Sequence, residues 1–154
     1  MPTITEIAMG RIVRHILAVV VGLFAGSLVN MGLIQLGAGL VPPPAGADVG
    51  TIEGLQAALP LFEPRHFLFP FLAHALGTLA GAIGATLLAP GRSAGPAWAV
   101  GVLFLCAGIA NVFLLPGPLW FDVLDLVCAY LPMAWLGQRM VRGRAARVVR
   151  TEAA

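Results

Sequence analysis

The 154-residue chain is 59% apolar and only 10% charged, with a mean hydropathy of +0.93. A water-soluble domain needs about a quarter of its residues charged to cover its core, so these proportions exclude a soluble globular protein and make the bilayer the main solvent. The formal net charge is +2 and all nine basic residues are arginines, whose places along the chain say more than their sum.

A spanning helix needs about 20 consecutive apolar residues. Four stretches meet that requirement, at about 16–41, 67–89, 97–115 and 119–137. The first is too long for the 7–15-residue apolar core of a signal peptide, so it is expected to be retained. Pro42-Pro43-Pro44 ends it. In the connection that follows, Thr51 can cap a short helix whose Ile52, Leu55 and Leu59 share one face, lying on the membrane surface or over the bundle mouth. The second span is interrupted only by His74. Pro116-Gly117-Pro118 forces a turn after the third, because proline cannot continue a helix and glycine permits the reversal. The fourth span carries Asp122 and Asp125 and is the least hydrophobic of the set.

Orientation follows from the arginines, which favour the cytoplasmic side. With four spans, Arg11, Arg14, Arg92, Arg139, Arg142, Arg144, Arg147 and Arg150 share one side, and the other holds only Arg65. The expectation is an all-α, four-transmembrane-helix antiparallel bundle with both termini in the cytoplasm. Residues 1–138 form one transmembrane domain, and 139–154 form a basic cytoplasmic tail. That tail is read as a topology anchor drawn to anionic lipid, not as a nucleic-acid-binding segment.

Helices in lipid associate where small residues let backbones approach, which singles out Gly22-x-x-x-Gly26 and Gly77-x-x-x-Gly81. Asn30 and Gly37 continue the first face, and Gly84 and Ala85 follow the second. Cys106 and Cys128 lie in apolar runs without metal or disulfide spacing and are expected to be small buried packing residues. Trp98, Trp120, Phe121 and Trp135, with Phe67, Phe69 and Phe71, sit near span ends, as interfacial belts do.

Polar side chains inside the membrane are costly and face the bundle interior. At a rise of ~1.5 Å per residue, Asp122 and Asn111 lie roughly 5–6 Å below the outer ends of their spans, His74 and Asp125 roughly 9–10 Å, and Asn30 roughly 16 Å. These five form a candidate polar layer, with Glu63, Arg65 and His66 at its outer mouth. Such a layer can share a proton between carboxylates and imidazole, or merely hold helix register. Asp122 is a candidate partner for Arg65, and the hydroxyl of Tyr130, near mid-span, needs a partner of its own. No Gly-rich phosphate loop, nucleophile elbow or Cys/His cluster occurs, so no catalytic residue and no cofactor is assigned, and the identity of any metal is left unknown.

The segments Phe62-Glu63-Pro64-Arg65-His66-Phe67, Phe71-Leu72-Ala73-His74-Ala75-Leu76-Gly77 and Pro118-Leu119-Trp120-Phe121 give the chain a family likeness. It resembles small uncharacterised four-span proteins of bacterial inner membranes. The resemblance covers residues 14–138 and implies architecture and compartment, with no activity to transfer. The leading functional expectation is a scaffold or accessory subunit acting through helix contacts, partnered by lipid and by a second copy or another membrane protein. The alternative is an oligomeric conduit for protons, ions or small solutes, and the third reading is a membrane-embedded metal-dependent enzyme.

Overall fold

The computed structural model describes the backbone of residues 4–152 and the side chains of residues 8–143. Among the described residues there are six α-helices and no strand: α1 (Ile4–Leu40), α2 (Ile52–Ala58), α3 (Leu68–Leu88), α4 (Gly95–Leu114), α5 (Leu119–Cys128) and α6 (Leu131–Glu152). Four helical segments are long and apolar enough to cross a membrane: Ala8–Leu40, Pro64–Leu88, Gly95–Leu114 and Leu119–Gly143. Their apolar side chains cover the outside of the bundle. Phe24, Leu28, Phe113, Leu119 and Val127 are each more than half exposed, as a lipid-facing surface requires.

The fourth span departs from the expected single helix at 119–137. It is broken at Ala129–Tyr130, where α5 ends and α6 begins. Pro132, in the first turn of α6, has no N–H to give to the preceding turn, so the ladder cannot run through unbroken. Past this break, α6 runs on without interruption into the segment expected to be a separate tail, 139–152.

Helix α3 is the hub, packed against α1 on one side and α4 and α6 on the other. The contact with α1 is a glycine seam. A Cβ placed on Gly22 would stand 2.7 Å from the carbonyl oxygen of Gly81, and one on Gly81 would stand 2.7 Å from that of Gly22. Gly26 and Gly77 make the reciprocal pair one turn along, at 2.7 and 2.9 Å. All four expected packing glycines therefore meet within one chain, backbone to backbone. Gly84, by contrast, faces open space.

On the other side of α3 the layer is alanine. Ala82, Ala97 and Ala134 are fully buried together, Val100 closes the space beside them, and Gly137 lies against Ala82 and Leu79. Thr78 and Thr86, also buried, return their hydroxyls to the carbonyls of His74 and Ala82 at 2.7 and 2.8 Å, so neither leaves a polar group bare in the membrane. Small residues thus seal the half of the bundle that adjoins the tight Pro90-Gly91-Arg92 turn. That turn needs Gly91 and Arg92 at φ 62° and 51°, the left-handed region glycine enters without strain. At this same end His15 Nε2 meets Ser93 Oγ at 2.9 Å, tying the start of the first span to the connection between the second and third.

The opposite end is built differently. Thr51 caps α2 by accepting from the Gly54 amide at 3.0 Å, and Gln56 Nε2 donates to the Leu114 carbonyl at 2.6 Å, which pins α2 to the end of α4. Two expectations need correction. Phe67 and Phe121 are not interfacial belt residues; both are buried in an aromatic cluster with Phe62 and Trp120, centroids 4.8–6.0 Å apart. Cys106 is exposed on the lipid-facing surface instead of packed, and Cys128 is half-buried.

Candidate functional site

His74 and Asp125, assigned to one polar layer from their depths, are in direct contact. His74 Nδ1 lies 2.9 Å from each carboxylate oxygen of Asp125. Tyr130 completes the group, its hydroxyl donating to Asp125 Oδ2 at 2.8 Å and its ring stacked on the imidazole with centroids 5.8 Å apart. Residues five apart on a continuous α-helix point about 140° away from each other. The break at Ala129–Tyr130 is what turns Tyr130 back onto Asp125. Gly108 of α4 makes room for it: a Cβ there would sit 2.6 Å from Tyr130 Cζ.

The chemistry of the group follows from its donors and acceptors. Asp125 is 4% exposed. As a carboxylate it can only accept, so His74 must carry its proton on Nδ1 and Tyr130 must donate. That tautomer leaves the lone pair of His74 Nε2 directed elsewhere, and among the described residues Nε2 has no hydrogen-bond partner and is not sealed from solvent. It borders a cavity. An imidazole held by a carboxylate at one nitrogen leaves the other nitrogen available to a ligand.

Two contiguous spaces, of about 350 and 260 Å³, share Asn30, His74, Gly108 and Asn111 in their walls. The larger lies between α1 and α4, with Thr78 and Tyr130 at its floor. The smaller extends toward α2 past Asp122, His66 and the aromatic cluster, and Leu55 of α2 and Leu59 just beyond its end close over it. Neither lining includes Ala82, Ala97 or Ala134 of the alanine layer.

The remaining expected site residues divide. Asn30 is half-buried and Asn111 stands at an exposed rim; both border the cavity. Asp122 borders it too, and among the described residues its carboxylate has neither a hydrogen bond nor an ion pair. The expected Asp122–Arg65 contact does not form. Arg65 Nε instead pairs with Glu63 at 3.0 Å, with both side chains more than 60% exposed, because the Pro64 turn brings those two together locally. Glu63 and Arg65 line a separate surface groove beside Leu40–Ala45, and His66 alone belongs to both spaces. His66 is fixed by its own turn, accepting from the Glu63 amide at 2.9 Å on Nδ1. Among the described residues no three His, Cys, Asp or Glu side chains gather closely enough to hold a metal ion. Tyr130 and Thr78 lay outside the expected layer; the unmet need of a mid-span phenol was the one signal that pointed to Tyr130.

No family model, curated protein or solved structure matches this chain, so the geometry itself has to carry the functional argument.

Proposed function

We propose that this is a bacterial inner-membrane protein, with both termini cytoplasmic and α2 on the periplasmic side, that carries a small solute in a proton-linked manner. The observation that carries the reading is the His74–Asp125–Tyr130 group in the walls of the two spaces. Structural glue would be satisfied by partners on all sides. Here one imidazole nitrogen is committed to a buried carboxylate and the other is left to the cavity.

The broken fourth span supports the same reading. Carriers commonly bind substrate where a spanning helix is interrupted, since irregular backbone is tolerated in the membrane only where protein or a cavity surrounds it. Here the break adjoins the site, between Asp125 and Pro132. The scaffold reading rests on the missing catalytic motif, the short outer loop and the glycine-rich contact faces; a cavity beside the His74–Asp125 pair favours the alternative. It also places the polar space within a single chain, so the oligomer that a conduit would otherwise need is not required to create it.

The test is charge movement on a solid-supported membrane carrying reconstituted protein, with pulses of amines, polyols, amino acids and zwitterions, each in a water-soluble and a long-chain form, at mildly acidic and neutral pH. At least one class should move charge in a pH-dependent way, and Asp125→Asn should abolish the signal while keeping native helical circular dichroism and a cooperative melt. Silence from every class, or a signal that Asp125→Asn leaves intact, overturns the carrier reading.

A further inference from the structure

The larger space is open sideways. Its rim is made by Ser27 and Met31 on α1 and by Ala107 and Asn111 on α4, all exposed and all within spanning segments. The medium outside that rim is acyl chain, not water. α1 is drawn onto α3 by the glycine seam while α4 leans on α3 and α6, and the small side chains of Ser27 and Ala107 leave the slot between them open.

The route from the α2 end is less suited to a polar molecule. It passes Leu55, Leu59, Phe62, Phe67, Leu115 and Phe121, an apolar collar under a helix pinned by Gln56. The lateral rim offers the hydroxyl of Ser27 and the amide of Asn111, followed inside by Asn30 and His74.

Charge narrows the ligand further. The titratable side chains bordering the two spaces are His66, His74, Asp122, Asp125 and Tyr130, with no Arg or Lys among them. A phosphate or carboxylate head would meet two acidic groups and no fixed cation, whereas an amine or hydroxyl head finds acceptors in Asp122, His74 Nε2 and the two asparagines. The larger space alone, at about 350 Å³, is within the range of small-molecule sites.

We infer that the ligand of this cavity is a membrane amphiphile with an uncharged or cationic polar head, admitted from the lipid phase through the slot between α1 and α4. This rests on the carrier reading and specifies its ligand and entry route.

The experiment uses the full chain in nanodiscs of zwitterionic lipid and three chain-spin-labelled amphiphiles: stearylamine, monostearoylglycerol and octadecyl phosphate. The amine and the glycerol ester should show a motionally restricted population at neutral pH, at least about five-fold larger than for the phosphate. Ser27→Trp, which fills the rim from an exposed position, should reduce it to the phosphate level. Leu28→Trp, exposed on α1 but outside both cavity linings, should not. Restriction that ignores the head group, or that survives Ser27→Trp, overturns the inference. If that happens while Asp125-dependent charge movement persists, the ligand is water-borne and the carrier reading stands; loss of the Asp125 dependence itself strikes the carrier reading instead.

Discussion

Alanine substitution at two neighbouring glycines of α3 should have opposite effects. In a helix, Gly→Ala normally stabilises by about 0.8–1 kcal/mol through backbone entropy. At Gly84 nothing lies within 4 Å of the new methyl, so that gain is expected in full. At Gly81 the methyl would stand 2.7 Å from the Gly22 carbonyl oxygen, short of an ordinary 3.4 Å contact by about 0.7 Å, and 3.1 Å from Val100 Cγ1. Neither obstacle is a free side-chain end. The Gly22 oxygen is helix backbone, and Val100 is fully buried. The α1–α3 seam must therefore part, at the cost of about 1–3 kcal/mol that overpacking carries. Offset by the propensity gain, Gly81→Ala is expected to destabilise by about 0–2 kcal/mol, leaving it about 1–3 kcal/mol below Gly84→Ala. Thermal unfolding of the detergent-solubilised protein, followed by circular dichroism, measures the difference. Gly32→Ala on α1, also without neighbours within 4 Å, is the matching control there. Equal shifts at Gly81 and Gly84 would refute the seam.

The remaining predictions concern topology and the polar site. Reporter fusions after Gly50 and Gly117 should read periplasmic and those after Arg92 and Ala145 cytoplasmic; a periplasmic reading at Ala145 would mean that the broken fourth span does not cross. Tyr130→Phe removes the one phenolic donor to Asp125 and should cost about 1–3 kcal/mol, the range for a hydrogen bond to a charged group, read as a lowered melting temperature. A Tyr130→Phe protein as stable as the native one would mean that Asp125 is neutral or otherwise satisfied.

The legible parts of this molecule were those that composition and periodicity encode. Long uncharged runs give the spans, and glycine spacing gives the α1–α3 seam, because in lipid small residues are the main mark of a contact face. Depth counting brought His74 level with Asp125, and the energetic need of a buried carboxylate for a partner did the rest. The break at Ala129–Tyr130 was harder to read. Pro132 is a signal for it, but proline within a spanning helix more often kinks the helix than divides it. Depth along a span says nothing of the Glu63–Arg65 pair, which a local turn forms in place of a longer reach to Asp122. The cavity was not legible at all. It arises from the divergence of α1 and α4, which depends on how several side-chain volumes add up across three helices, and no periodicity records such a sum.

The glycine seam has one more consequence, for register. Because Gly22 meets Gly81 and Gly26 meets Gly77 through carbonyl oxygens, the two helices are keyed at a fixed offset along their length. Asn30 stands one turn beyond Gly26, and its Cβ would be 3.2 Å from a Cβ on Gly77, next to His74. Slipping the seam by a turn would carry Asn30 about 5.4 Å along the bundle, out of the cavity wall. The glycines therefore act as a ruler: chemically inert themselves, they set the depth at which the first span presents the Asn30 amide to the cavity that His74 of the second also borders.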